Sequence, residues 1–266
     1  MCFDHDALPP ELPGDLRLPR LAGGAAAEIA EASSADGTRF SVAVAVSPQP
    51  ADPAVVIVPD VRGLYRFYTS LTERFAAAGH HAIAIDPFGR TAGATGERDG
   101  DWDYWPHVHA TTPAGVQADV AGAIELLKER TGASASSFVV VGFCYGGAQA
   151  FLAATNAELD VDGVVGFYGA LNGERLEIPS PREAIAGAVH PVLALFGGAD
   201  QGIPESDRAV FAENLASAGV DHDVHVYDGA PHSFFDRKQE EFADASADAW
   251  RRTLGFLEQL GARTRI

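Results

Sequence analysis

The stretch of sequence that decides the fold is FVVVGFCYGG, residues 138–147. Its first four residues are apolar, as in a buried β-strand. The glycines that follow permit a sharp turn from this strand into a helix, where a Cβ atom would clash. Such a turn exposes one side chain over the edge of a sheet, and here it is the thiol of Cys144. Since a thiol ionises far more easily than a hydroxyl, the motif predicts a cysteine nucleophile.

Short apolar strands and amphipathic helices alternate on both sides of this motif. Strands that alternate with helices imply a mainly parallel sheet with helices on both faces, so the predicted fold class is α/β. Residues 1–26 are predicted to be an arm rich in proline and glycine, and residues 27–266 a single domain. The pattern predicts an N-terminal hairpin (28–31 and 40–46), strands at 54–58, 82–85, 138–141, 161–167, 191–196 and 222–227, a long connection at 86–113, and helices around 67–78, 116–127, 145–156, 204–218 and 239–260.

Composition narrows the class of partner. The formal charge of −18 disfavours a nucleic acid or an anionic membrane, because both would be repelled. It says little about the substrate, which we expect to be a small molecule. The N-terminal residues lack the regions of a secretory signal, and no apolar run is long enough to cross a bilayer. The two cysteines, Cys2 and Cys144, are not placed for a structural disulfide. A reducing cytoplasm suits a thiol nucleophile, so we expect a cytoplasmic protein, either a monomer or a small homo-oligomer.

Two later loops carry the residues that a thiol nucleophile needs. The predicted strand 191–196 runs into a loop that ends in Asp200, and the predicted strand 222–227 runs into a loop that contains His232. Functional groups gather at the carboxyl ends of parallel strands, so we expect these side chains to meet Cys144. An imidazole promotes the thiolate, and a carboxylate fixes the imidazole tautomer. The sequence therefore predicts a triad of Cys144, His232 and Asp200.

Each of these residues has a structural alternative when it is taken alone. A free cysteine is often a small buried filler. Asp200 can cap the helix that follows it, and His232 can be an ordinary surface histidine. All three in the order nucleophile, acid, base favour the catalytic interpretation.

With these motifs, the sequence resembles the dienelactone hydrolase family of α/β-hydrolases over nearly all of the chain after the arm. The resemblance implies an α/β-hydrolase fold and hydrolysis of a small ester or enol lactone, carboxylate-bearing, through an acyl-thioester and without a cofactor. In the stretch VPDVRG, residues 58–63, it implies that Asp60 lies near the thiol where the family usually has glutamate. It also implies that the backbone N–H groups of Val61 and Tyr145 form the oxyanion hole. The alternative for Asp60 is a cap on the turn into the next helix.

The resemblance further assigns the substrate carboxylate to arginine side chains. The stretch IDPFGR, residues 85–90, matches the family loop that carries one such arginine, so Arg90 takes this role with Phe88 in the same loop. The family has a second arginine shortly after the catalytic histidine. Here Asp236 occupies that place and Arg237 follows one step later. A surface ion pair is the alternative for both arginines.

The segment DGDWDYWPHVH, residues 99–109, is rich in aromatic residues. Its rings, Trp105 among them, are expected either to cover the pocket and select substrate shape or to pack in the structure. The histidine pairs 80–81 and 107–109 lack the ligand spacing of a known site, so no metal is predicted. A broader carboxylesterase or thioesterase, and a non-catalytic ligand-binding protein of the same fold, stay open as alternative functions.

Overall fold

The computed structural model of the protein describes residues 6–16, 26–98 and 100–264. Its centre is an eight-stranded sheet in the order β1-β2-β4-β3-β5-β6-β7-β8. The hairpin of β1 and β2 is antiparallel and joins β4 in antiparallel orientation, whereas the six strands from β4 to β8 are parallel. The predicted α/β class is confirmed. The strands are β1 (Glu28–Ser33), β2 (Arg39–Ala45), β3 (Ala54–Val58), β4 (Ala82–Ile85), β5 (Phe138–Phe143), β6 (Gly163–Phe167), β7 (Val192–Gly197) and β8 (His222–Tyr227).

Helices connect the parallel strands. The connection 86–113 contains two short helices that the sequence pattern did not predict, because four to six residues are too few to show a helical period. The second of them has Pro106 in its first turn, where the missing N–H is not needed. The helices are α1 (Arg66–Ala77), α2 (Gly89–Ala92), α3 (Trp105–Ala110), α4 (Pro113–Thr131), α5 (Tyr145–Ala153), α6 (Pro181–Ala184), α7 (Glu205–Ala218) and α8 (Ala243–Thr264).

The sheet is buried between these helices, and this burial decides where the loops of interest lie. Every residue of β3, β4, β5, β6 and β7 is buried, as expected for strands covered on both faces. Because six neighbouring strands run in the same direction, the loops that follow them all leave from one edge. The site residues predicted from sequence lie in these loops and at the start of α5.

The described part of the arm, residues 6–16, lies against the C-terminal helix. Trp250 of α8 donates a hydrogen bond from its ring nitrogen to the carbonyl oxygen of Pro10, at 3.1 Å. Arg251 forms an ion pair with Asp15 at 3.0 Å. Residues 1–5 and 17–25 of the predicted arm, Cys2 included, lie outside the described residues. Among the described helices, none combines the length and apolar character that crossing a membrane requires.

Candidate active site

The turn between β5 and α5 has the strained geometry that its glycines predict. Cys144 has φ 54° and ψ −108°, in the left-handed region, at a cost of about 1–3 kcal/mol for a residue with a Cβ. A Cβ on Gly142 would lie 1.9 Å from the carbonyl oxygen of Gly146. A Cβ on Gly146 would lie 1.9 Å from the carbonyl oxygen of Val58. Strand and helix therefore cross too closely for any other residue, and the turn leaves the thiol half-buried at the sheet edge.

The structure brings His232 and Asp200 to this thiol. His232 Nδ1 lies 2.6 Å from Asp200 Oδ2, and its imidazole lies within interaction range of the Cys144 side chain. Asp200 is buried, and its other carboxylate oxygen accepts a hydrogen bond from the backbone N–H of Gly202 at 2.9 Å. The carboxylate is thus held on two sides, so the imidazole it orients has one preferred position.

The charges around His232 favour its protonated form. Burial lowers the pKa of His232, but the negative charge of Cys144 and the hydrogen bond with Asp200 outweigh burial and raise this pKa to about 10. A protonated imidazole beside the sulfur favours the thiolate that a cysteine nucleophile needs.

We expect Asp200→Asn to lower the pKa of His232, because the amide removes a charged hydrogen-bond acceptor. The ordinary pKa is 6.5 and the folded value is higher, so the stabilisation from protonated His232 is complete below pH 6.5 and is lost as the pH rises towards 10. NMR titration of the His232 ring in both proteins measures the change. The other histidine rings in the same spectra serve as internal controls, and an unchanged His232 titration would contradict the prediction.

Two backbone N–H groups are available at one corner of this site. Tyr145 is the first residue of α5, so its N–H has no acceptor within the helix. The N–H of Val61, in the loop after β3, likewise has no acceptor among the described residues. These two segments touch, because Gly146 packs directly on the carbonyl oxygens of Val58 and Pro59. The arrangement suits a pair of donors to an oxyanion.

Asp60 is engaged by groups other than the thiol. Its carboxylate accepts hydrogen bonds from Arg62 Nε at 3.0 Å and from the Tyr68 hydroxyl at 2.8 Å. Burial raises the pKa of Asp60, but the charge of Arg62 and its hydrogen bonds outweigh burial and hold it below the usual value. Asp60 Oδ1 also accepts from the backbone N–H of Arg62, as the turn-capping alternative implies. Among the described residues, no hydrogen bond joins Asp60 to Cys144.

Arg90 has partners that differ from those implied by the family resemblance. Its guanidinium forms ion pairs with Asp36 at 2.6 Å and with Asp119 at 2.8 Å, and it donates to the carbonyl oxygen of Gly115 at 3.1 Å. These groups belong to the β1–β2 turn and to α4. The side chain is only 16% exposed, and its ion pairs hold these two elements together. The position therefore supports the structural alternative and gives no support to a substrate-binding role.

Arg237 contacts the residue that follows His232 in the chain. Its Nη2 donates to Ser233 Oγ at 3.3 Å, and the residue lines a depression beneath residues 6–11 of the arm. Asp236, at the position of the second family arginine, is buried and contacts Arg62. Asp236 therefore lies in a buried ion pair, whereas Arg237 lines the depression beside the arm.

Phe88 is fully buried. Its ring lies 5.3 Å from that of Trp102 and 5.4 Å from that of Tyr145, measured between centroids. Such contacts supply packing beneath the first turn of α5. His107 in turn stacks on Trp102 at 5.0 Å. No group of three metal-ligating side chains is found in residues 6–16, 26–98 and 100–264.

Trp105 contacts a cation that the sequence analysis missed. The guanidinium of Arg175 lies 4.7 Å from the centroid of the Trp105 ring. Trp105 is in the connection after β4, and Arg175 is in the loop after β6. Since β3 and β5 lie between these strands, the two loops have to meet across the end of β5, where Cys144 emerges. Burial is the main cause of the raised pKa of Tyr104. The charges of Arg175 and Cys144 also act on this pKa, Arg175 lowering it and Cys144 raising it. Arg175 belongs to no motif, so only its contacts reveal it.

The parallel sheet, the sharp turn after β5 and the loops after β7 and β8 are those of an α/β-hydrolase. The chain belongs to the dienelactone hydrolase family, whose model matches residues 40–261. It is 29% identical to the carboxymethylenebutenolidase of Pseudomonas putida over 237 residues, which cover 86% of this chain and 95% of that protein.

Solved structures agree with this assignment. A Klebsiella pneumoniae protein assigned to the dienelactone hydrolases has 25% identity and a TM-score of 0.73, covering 88% of this chain and 99% of its own. A dienelactone hydrolase-like promiscuous phosphotriesterase from metagenomic libraries has 20% identity and a TM-score of 0.71, covering 90% and 99%, and shares the fold. Membership of this family and the likeness to the Pseudomonas putida enzyme support the conclusion that the protein is a hydrolase of esters or lactones.

Proposed function

We propose that the protein hydrolyses a small, carboxylate-bearing ester or enol lactone, with Cys144 as nucleophile, His232 as acid and base, and Asp200 as its orienting carboxylate. The observation that carries this proposal is the contact of His232 with both Cys144 and Asp200, the latter at 2.6 Å. The competing function of a ligand-binding protein without chemistry requires none of these contacts. A free thiol of this kind suits a reducing compartment such as the cytoplasm.

The reaction proceeds in two acyl transfers. The Cys144 thiolate adds to the substrate carbonyl, and the N–H groups of Val61 and Tyr145 donate to the resulting oxyanion. As the carbonyl re-forms, the C–O bond to the leaving group breaks, and protonated His232 gives the leaving oxygen its proton. Neutral His232 then takes a proton from water, whose oxygen attacks the thioester. Collapse of this second intermediate releases the carboxylic acid and returns the thiolate.

The thiol restricts the leaving group. A thiolate is itself easily expelled from the tetrahedral intermediate, so the departing group has to be at least as good. Enols and phenols meet this condition and amines do not. Enol lactones and aryl esters are therefore the substrates that this site suits best.

A cation in the loops that meet across the end of β5 supports the preference for an anionic substrate. The protein carries a net charge of −18, so an anion needs a local positive charge to approach. Arg90 is held in structural ion pairs, whereas Arg175 forms no ion pair among the described residues. Its guanidinium can donate two parallel hydrogen bonds to a carboxylate. We assign the substrate carboxylate to Arg175 within this proposal.

We expect Arg175→Gln to raise KM about tenfold for a carboxylate-bearing ester and to leave a neutral ester of equal reactivity unaffected, because glutamine lacks the positive charge that strengthens these hydrogen bonds. Steady-state kinetics with the two esters measure the difference. Arg130→Gln is the matched control, since it removes the same charge from the far end of α4, where Arg130 pairs with Glu28. Equal effects on both esters, or no preference of the unaltered protein for the anionic ester, would favour the broader carboxylesterase or thioesterase.

A further inference from the structure

Three charged side chains form a buried ion cluster, which we define as Asp60, Arg62 and Asp236. Arg62 Nη2 bonds to one carboxylate oxygen of each aspartate, and Arg62 Nε lies 3.0 Å from Asp60 Oδ1. None of the three side chains is more than 8% exposed. The guanidinium also lies 4.3 Å from the centroid of the Tyr65 ring. With water largely excluded, the geometry of these charges is tightly determined.

The buried ion cluster joins two loops that come from distant parts of the sheet. Arg62 follows β3 and Asp236 follows β8, and three strands separate β3 from β8. The contact joins residues 174 positions apart in the chain. Val61 lies between Asp60 and Arg62, while His232 lies four residues before Asp236. The cluster therefore links the loop of one oxyanion donor to the loop of the catalytic base.

The buried ion cluster also adjoins the predicted triad. The ring of Tyr168 lies 4.9 Å from that of His232, between centroids. The Tyr168 hydroxyl is also within electrostatic range of Asp236, Asp60 and Cys144. Tyr168 thus lies near both the cluster and the predicted triad.

We propose that Arg62 is a positioning residue that holds the Val61 loop and the His232 loop at their working distance, and that it needs ionised Asp236 to do so. This inference rests on the proposed function, since it concerns the same reaction. The described contacts of Arg62 are with Asp60, Asp236 and the ring of Tyr65. Its effect passes through the two loops.

The charge balance of the buried ion cluster makes this arrangement dependent on pH. Two carboxylates share the guanidinium of Arg62, so their negative charges also repel each other, while the charge of Arg237 acts on Asp236 as well. Burial raises the pKa of Asp236 to about 6, with the negative charge of Asp60 adding to burial and Arg62 opposing it. The ionisable groups around Asp236 are Arg62 and Asp60 after β3, Tyr65 at the start of α1, Tyr168 after β6, Arg237 and Glu240 on its own segment, and Asp6 and Glu11 of the arm.

Stability and activity are expected to respond to this titration in opposite directions. The folded pKa of Asp236 lies above the ordinary value of 3.8, so ionisation costs folding free energy and the protein gains stability as the pH falls through 6. The same protonation weakens the hold on Arg62, so kcat falls. A residue that only supports the fold would lower activity and stability together.

The test uses Asp236→Asn, Arg62→Lys and Arg62→Met in the full chain. Turnover of a neutral aryl ester is followed from pH 5 to 8, and alkylation of Cys144 by iodoacetamide is followed in parallel. We expect Asp236→Asn to lower kcat about tenfold at pH 8 with KM changed less than about twofold, to lose the fall in kcat near pH 6, and to be no less stable to heat. Arg62→Met is expected to lower kcat further, and Arg62→Lys to restore part of it.

Asp207→Asn is the matched control, because it breaks the part-buried ion pair between Arg182 and Asp207, on α6 and α7. It is expected to keep the wild-type kcat and pH profile. An Asp236→Asn protein with wild-type kcat, pH profile and alkylation rate would overturn the inference. If the unaltered protein cleaves no ester, the proposed function fails by itself. The alkylation rates then decide on Arg62, because they report the position of His232 beside the thiol without turnover.

Discussion

Replacement of Cys144 by alanine is expected to abolish hydrolysis of activated esters and lactones, with a loss of at least about 10³-fold in kcat/KM. The covalent intermediate cannot form without the sulfur, and the oxyanion donors alone contribute a small residual rate. Since alanine keeps the Cβ, the backbone strain at φ 54° is unchanged, and we expect the thermal midpoint to stay close to that of the unaltered protein. Steady-state kinetics and thermal unfolding measure the two effects.

Cys144→Ser is the sharper companion of this variant. It keeps the size and the hydrogen bond of the side chain but replaces an easily ionised thiol by a hydroxyl. We expect it to fold normally and to lose most of the activity. Cys2→Ser controls for the other thiol in labelling experiments and is expected to behave as the unaltered protein. Full hydrolysis by Cys144→Ala would remove the nucleophile from the proposed mechanism.

Gly146→Ala is expected to lower the free energy of unfolding by about 3 kcal/mol or more, or to prevent folding altogether. The new Cβ would meet the carbonyl oxygens of Val58 and Pro59 at 1.9 and 2.5 Å. Both are backbone atoms of the β3 segment, so they cannot rotate away as a side chain would. Relief would require α5 to move off the sheet and would displace Cys144 from its turn.

Gly255→Ala is the matched control for this variant. Gly255 lies within α8, and a Cβ built on it meets no atom within 4 Å. Alanine is the better helix former, so we expect an increase of about 0.5–1 kcal/mol. Denaturant unfolding of the two variants beside the unaltered protein measures both effects. Equal stability of Gly146→Ala and the unaltered protein would contradict the steric account of the turn.

The stretch around Cys144 could be interpreted from sequence because its signals are local. Glycines beside a central cysteine, placed directly after an apolar run, need only their neighbours in the chain to define a turn. The loops of Asp200 and His232 were predictable for a related reason. Each follows a strand with a clear apolar run, and parallel strands bring their carboxyl ends to one edge.

The partners of the charged residues could not be predicted in this way. Arg90 lies in the loop that the family resemblance selects, but Asp119 of α4 and Asp36 of the β1–β2 turn take its guanidinium. Arg175 belongs to no sequence motif, and it lies beside Trp105 only because two loops meet in the folded structure. Ion pairs form between residues that are close in space, and the positions of the residues along the chain do not show which of them are close.

The order of residues along the chain was thus sufficient for the fold class, the family, and the choice of Cys144, Asp200 and His232 as candidates, because strand periodicity and glycine sterics act between neighbouring residues. The partners of Asp60 could not be predicted from this order. Arg62 is two residues away and Asp236 is in a loop 174 positions beyond Arg62, yet all three meet in one buried ion cluster. Which carboxylate receives a buried arginine depends on which groups folding brings together out of water, and that is a property of the packed molecule.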